Sequence, residues 1–319
     1  MSVRSVGLVM TLIVVGAAVP SRAAAQGVSG VPSIEVNQAI VRPATIAGCP
    51  ATDNLAFHNC ALQKGKTFTP PRTQGGRPDF QGYWRSAITQ AFSVEGVAAD
   101  DPMVKDPIMP WEVAPSEVID PVDRKIPYQP WAAAIGRRGV NFKEYIDPRT
   151  TCSTAGIPRL ALQDASQIVQ PPTGDHVLWL HDDHHQFRLI AMGERAAVGR
   201  DVKTWNGLSR GRWDGNTLVI ETANLNGYTW VDDSGNFYTD NARVTERLTM
   251  IDRDTIHYEA TFEDPTVYTR PWKVAWALVR EKEAGFELIE EACREGEKTV
   301  PDLRNQGWKY YFGVPWKER

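Results

Sequence analysis

The chain has 319 residues, a formal net charge of -4, and an ordinary globular composition apart from 11 tryptophans and 22 prolines. The weak acidic balance excludes the concentrated basic face that phosphate backbones require, so nucleic acid is not an expected partner. No polybasic run marks a membrane surface, and the length suits one large domain or two modest ones at roughly 100–200 residues each.

Arg4 precedes an uncharged apolar run from Val6 to Val19, and Ala23-Ala24-Ala25 follows as a small-residue cleavage site. This pattern predicts a signal peptide over residues 1–25, with Gln26 as mature N-terminus and a periplasmic or secreted destination. The run is shorter than the roughly 20 residues a spanning helix needs, so no membrane anchor is expected after cleavage. In an oxidising compartment the four cysteines invite pairing. Proximity favours Cys49–Cys60, which leaves Cys152–Cys293; the alternatives are four free thiols or a catalytic cysteine.

Residues 26–77 are polar and turn-rich and read as an extended arm or linker. Phe80 to Trp84 alternates aromatic and small residues, as a first strand would. Prolines recur from residue 100 to 172, a Pro-rich excursion in which Pro130 to Tyr145 could hold one helix, with proline in its first turn. From His176 the period becomes two. Val177–His181 and His185–Ile190 flank Asp182-Asp183. Gly211–Trp213 and Thr217–Thr222 flank Asp214-Gly215-Asn216, a strong hairpin signal. Val244–Met250 and Thr255–Phe262 flank Asp252-Arg253-Asp254, and Trp272–Val279 and Phe286–Glu291 close the series. The expected fold is mainly β: an antiparallel up-and-down, lipocalin-like barrel over 78–296, with a partly helical insertion. A β-sandwich is the alternative, and residues 297–319 form a tail packed on the barrel.

Several blocks carry a family resemblance. Pro78-Asp79-Phe80-Gln81-Gly82-Tyr83-Trp84 resembles the "PDLSGxW" opening of a large family of secreted bacterial proteins, abundant in acidobacteria and proteobacteria. Trp205 to Thr222, with Gly211-Arg212-Trp213-Asp214-Gly215 at its centre, is similar to that family's "GRWEGDTLV" block, and Thr245-Glu246-Arg247 to its "TERF". Asp264-Pro265-Thr266, Tyr268 to Trp272, and Glu291 to Gly296 complete the set. Where the family shows "ACHEGN", this chain has Arg294 in place of the histidine. The resemblance implies export and architecture, and it carries no reaction and no cofactor.

The chemistry-bearing cluster is His181-Asp182-Asp183-His184-His185, which holds three of the six histidines. In a hairpin His181 shares a face with Val177 and Trp179, and His185 shares one with Phe187 and Leu189, so both could point into the barrel. Imidazoles beside carboxylates move protons near neutral pH. An exposed polar turn is the bland alternative. A metal is a further one, although the spacing matches no zinc pattern and adjacent His184 and His185 would point to opposite faces. Glu246 lies in phase with Val244, Leu248 and Met250, and Arg188 with Ile190. A buried carboxylate is costly unless paired, so Glu246 is expected either to pair with an arginine or to titrate high. Trp84, Trp179 and Trp230, with Tyr228, Tyr268 and Asn224, are candidate ligand contacts or core.

The resulting expectation is an exported enzyme that uses His181, Asp182, His185, Glu246 and Arg188 for general acid–base chemistry of lyase, dehydratase, isomerase or hydrolase type. Its substrate would be a small hydrophobic or aromatic molecule in a barrel pocket, with no cofactor. No P-loop, dinucleotide fingerprint or Gly-x-Ser-x-Gly elbow is present. The alternatives are a non-catalytic periplasmic carrier of a hydrophobic ligand, and a metal-dependent hydrolase using the His181–His185 hairpin. Oligomeric state is not encoded.

Overall fold

The structure is a computed structural model that describes residues 43–87, 93–105, 113–139, 145–162, 165–194, 199, 201–290, 293 and 299–313. The segment read as a signal peptide lies outside the described residues.

Nine strands close into a barrel: β1 Gly82–Ser86, β2 Ala165–Val169, β3 His176–His181, β4 Phe187–Met192, β5 Leu208–Asp214, β6 Thr217–Ala223, β7 Arg243–Asp252, β8 Thr255–Glu263 and β9 Trp272–Arg280. The order around the barrel is β8-β7-β6-β5-β4-β3-β2-β1-β9, and β9 pairs back onto β8. Closure removes the exposed edges that an open sheet of this length would present. The turn at Gly215-Asn216 is a two-residue loop between the paired Asp214 and Thr217, with φ +59° at Gly215, a conformation in which a side chain would be strained.

The barrel is not antiparallel throughout. β4 and β5 run parallel, Ile190 opposite Ser209 and Met192 opposite Gly211. Residues 193–207 carry the chain back to the end at which β4 began, a crossing of the length that a parallel pair needs. Phe286 to Ile289, expected to open a last strand, have no regular structure.

Alternation places one side-chain set of each strand inside. Trp84, Trp179, Trp272, Trp276, Tyr258 and Phe262 are all buried there with aliphatic neighbours. On β4 the inward residues are Arg188 and Ile190, whereas Phe187 and Leu189 are 64% and 50% exposed. The expectation that this second face points inward is therefore corrected. The turn before β4 spans residues 182–185, closed by the His181 N–H on the Gln186 carbonyl, and Asp183–His185 form a 3-10 turn within it. The side chain of His185 lies outside what is described.

Residues 26–77, read as an arm, contain helix α1, Asn54–Thr67. Asp53 caps it by accepting the Ala56 N–H at 2.7 Å. Phe57 and Ala61 pack on Ile251 and Ala277 of the barrel's outer wall, and the Cys49–Cys60 disulfide fastens the preceding turn to the helix. Ile251 reaches this face through a bulge between Met250 and Asp252.

Hairpins 170–175, 215–216 and 253–254 close one end of the barrel. Segments 182–186, 204–207, 224–242 and 264–271 lie at the other, the rim. The excursion covers the rim: Val118–Asp120 pairs with β9, and Ala132 of helix α2 (Pro130–Gly139) and Ile157, Ala161 and Leu162 join the core. Tyr311, near the C-terminal end of the described residues, does the same. Cys152–Cys293 joins the excursion to the region after β9. Both disulfides pair as local proximity suggested.

Gly156 shows how tightly the rim is packed. It has φ +76°, and a Cβ there would lie 2.3 Å from Thr229 Cγ2. Thr229 Oγ1 in turn donates to the Ala155 carbonyl at 2.7 Å. Gly156→Ala is expected to lower stability by about 1–3 kcal/mol, read as a fall of several degrees in melting temperature. An unchanged melting curve would contradict this packing.

Candidate functional site

The interior set is built around a charge pair. Arg188 and Glu246 face each other across the barrel with side chains 2% and 0% exposed. Arg188 Nη1 donates to Glu246 Oε1 at 2.9 Å, and Nη2 donates to Oε2. Tyr258 Oη donates to Glu246 Oε1 at 2.8 Å. Nη2 also donates to Ser209 Oγ at 3.1 Å and Thr222 Oγ1 at 3.3 Å, and the guanidinium lies 5.5 Å from the Trp179 ring centre. Glu246 is thus the paired carboxylate of the two expected alternatives.

His181 lies inside the same wall, its ring stacked on Trp179 at 5.3 Å. Burial, and then the positive charge of Arg188, push its pKa down to about 3 against a hydrogen bond to the Leu160 backbone. A ring held neutral this firmly is a poor proton acceptor near neutrality. Aromatic and aliphatic side chains of the core surround this charged and polar set in the barrel interior.

The remaining candidate contacts are distributed. Trp84 is core: its Nε1 donates to the Phe80 carbonyl at 2.8 Å, and Arg280 lies over its ring. Trp230 is buried edge-on against Tyr311, and Tyr268 Oη donates to the Phe237 carbonyl. Asn224 ties the loop after β6 to the segment before β5, donating to the carbonyls of Gly199 and Val202. Only Tyr228 of this group is exposed at the surface. The Asp182 backbone N–H donates to the Ala165 carbonyl, which fixes the hairpin to the start of β2.

The rim holds a pocket of about 300 Å³ lined by Cys152, Thr154, His184, Gln186, Phe187 and Asn206. Among these lining residues His184 is the titratable one, and buried Asp183 neighbours it. Asp183 is buried, its Oδ1 accepting from Arg149 Nε at 2.9 Å and lying 3.7 Å from His184 Nδ1. His184 and Cys152 both have left-handed backbones, φ +52° and +59°. Such strain in residues other than glycine persists only where the surroundings impose it, and it gathers at functional sites. Thr154 Oγ1 donates to Asn206 Oδ1 at 2.7 Å, and Asn206 Nδ2 donates to Gln186 Oε1 at 3.3 Å. The loop carrying Cys152 and Thr154 is held by buried Arg159, which bridges Asp147 and Asp233.

His184 and the sulfurs of Cys152 and Cys293 offer ligand atoms within 4.8 Å of one another. The sulfurs are joined in a disulfide, which leaves the imidazole as the one strong donor of the three. His181 faces the barrel core and His184 the rim, so the two do not form the shared ion site considered for this hairpin.

Sequence reasoning located the histidine hairpin but favoured His181 and His185 over His184. It missed Thr154, Gln186 and Asn206, although Asn206 stands in the Trp205-Asn206-Gly207 block. Comparison of the chain with protein-family models, curated proteins and solved structures returned no match.

Proposed function

We propose that the chain is an exported enzyme that acts by general acid–base chemistry in the rim pocket, with His184 as the proton-transferring group. The observation that carries this reading is His184 on the pocket wall, with buried Asp183, itself held by Arg149, 3.7 Å from its Nδ1. Asp183 is fixed by Arg149 and places a carboxylate oxygen 3.7 Å from His184 Nδ1, where it can orient the imidazole. Asn206, Gln186 and Thr154 offer amide and hydroxyl groups to position a polar substrate beside it. Lyase, dehydratase, isomerase or hydrolase chemistry fits one imidazole with a supporting carboxylate, and the sequence holds no nucleotide-cofactor fingerprint. The apolar N-terminal run, the resemblance to secreted proteins and two disulfides support export. Among the described residues no helix is long and apolar enough to cross a membrane.

The test offers the purified chain a panel of activated esters, enolisable ketones and β-hydroxy carbonyl compounds. Any turnover is expected to fall about 10²–10⁴-fold in His184→Ala and to be unaffected by His176→Ala, at a histidine remote from the pocket. Asp183→Asn should lower kcat about tenfold or more with little change in KM, as loss of the group that orients the imidazole would. Turnover that survives His184→Ala refutes the assignment, and saturable binding without turnover across the panel favours a carrier.

A further inference from the structure

The pocket continues into a band of exposed aromatic rings. Trp205, next to Asn206, lies edge-to-face on Tyr228 at 5.8 Å, and Tyr228 lies edge-to-face on Phe312 at 5.9 Å. Phe312 then meets Tyr310 at 6.3 Å. Tyr228, Phe312 and Tyr310 are 38%, 65% and 43% exposed, and exposed Phe187 stands on the pocket's own wall. Large apolar side chains scattered singly on a surface need no explanation, but five rings along one rim mark a binding surface. The C-terminal tail is built to present them: Tyr311 is buried against Trp230 and Tyr145, and alternation turns Tyr310 and Phe312 outward.

We propose that the pocket and this band together bind a neutral oligosaccharide. A sugar ring has apolar C–H faces that stack on aromatic rings and a hydroxyl edge that both donates and accepts hydrogen bonds. The site presents both halves of that chemistry side by side. Asn206 and Gln186 are planar amides, each carrying a donor and an acceptor, and Thr154 supplies a hydroxyl. Their mutual hydrogen bonds fix which way the amides point. A purely apolar ligand would cover their remaining donor and acceptor capacity without partners, which is costly. Among the described residues beside the pocket Arg149 is engaged by Asp183, and Arg159 by Asp147 and Asp233, which favours a neutral ligand there; on the band Arg304 lies 5.1 Å from the Tyr310 ring centre. Three ring-to-ring steps exceed the span of a single sugar, so the ligand is an oligomer. The inference deepens the acid–base reading by naming the ligand class of the same pocket, and it rests on binding alone.

The experiment titrates the full chain with gluco-, xylo-, manno- and N-acetylglucosamine oligosaccharides of increasing length, followed by calorimetry and tryptophan fluorescence. At least one neutral series is expected to bind, with affinity rising about tenfold or more from monosaccharide to trisaccharide. Trp205→Ala, Phe312→Ala and Asn206→Ala should each weaken it by about tenfold. Trp205→Tyr should retain most of the affinity, and Val122→Ala, at an exposed site outside the band, should change nothing. Absence of saturable binding to every neutral series, binding confined to acidic oligosaccharides, or affinity indifferent to Trp205 and Phe312 overturns the proposal. Oligosaccharide binding without any turnover would sink the catalytic reading and leave this one standing. Turnover of the small-molecule panel with no oligosaccharide binding would do the reverse.

Discussion

Glu246→Leu is expected to destabilise the protein by about 3–5 kcal/mol, a large fraction of the stability a domain possesses. The substitution leaves the Arg188 guanidinium charged at the barrel centre, with only Ser209 and Thr222 hydroxyls and the Trp179 ring to replace a bidentate carboxylate. Tyr258 loses its acceptor in the same step. Arg188→Met should be similarly costly, because it strands the carboxylate. The double variant Arg188→Met/Glu246→Leu removes both charges and is expected to recover most of the loss, since replacing a buried pair with apolar groups is often neutral. Urea midpoints at constant m-value measure all three. The four proteins form a cycle whose coupling energy isolates the pair. A double variant as unstable as the singles would show that the pair contributes more than mutual charge compensation.

That pair was readable in advance for a simple reason. Glu246 and Arg188 stand in phase with aliphatic residues on strands of period two, and a strand gives a side chain only two directions. The same rule made the hairpins at Asp214-Gly215 and Asp252-Arg253-Asp254 visible, and with them much of the barrel. It failed at β4, where both faces carry apolar residues and Phe187 and Leu189 look as inward as Ile190. Periodicity could not rank the two faces, and it is the pairing with Glu246 that holds Arg188 inside. Helix α1 was hidden by its composition. It buries mainly Phe57 and Ala61 on a strand wall, while Leu62 is exposed and Asn54 buried, so it has little apolar stripe to detect. The parallel β4–β5 pair depends on where residues 193–207 travel, and no local signal encodes that path.

The rim pocket shows a different limit. His184 was flagged with its neighbours, but its partners come from residues 149–154 and 206, which no short-range pattern joins to it. A closed barrel makes the assembly possible, since its strands hold the ends of the rim loops in fixed positions. Arg159 with Asp147 and Asp233, and Arg149 with Asp183, then tie loop to loop. Loops on a rigid scaffold are where binding groups commonly gather. The same division leaves the interior histidine with a thermodynamic role, which acid titration exposes.

Stability is expected to fall steeply as pH drops from about 6.5 toward 3, and two buried histidines are the cause. His181 and His257 are both pushed down to about 3 from an unfolded value of 6.5. For His181 the causes are burial and then Arg188. For His257 they are burial, then His58 at 3.1 Å, then Arg247. His58 is lowered as well, by burial and Lys273 against the pull of Glu259, which Lys273 also pairs at 3.1 Å. Between 6.5 and 3 the unfolded chain binds a proton at each ring and the folded chain does not, so stability rises with pH across that window and is complete above it. Each ring supplies a slope of up to about 1.4 kcal/mol per pH unit. Asp232 acts oppositely: burial pushes its carboxyl up to about 6, so between 3.8 and 6 the folded state holds the extra proton and offsets one ring. The clean measurement is therefore a difference. His257→Asn should flatten the stability–pH curve by about one proton's slope between pH 6.5 and 3, and His181→Asn should do so independently, as expected for sites with no shared partner. Because His58 and His257 join α1 to β8, the His257 variant should also keep α1 protected from hydrogen exchange at pH values where the wild-type helix has begun to open. Parallel curves for wild type and both variants would place the acid transition on the carboxylates.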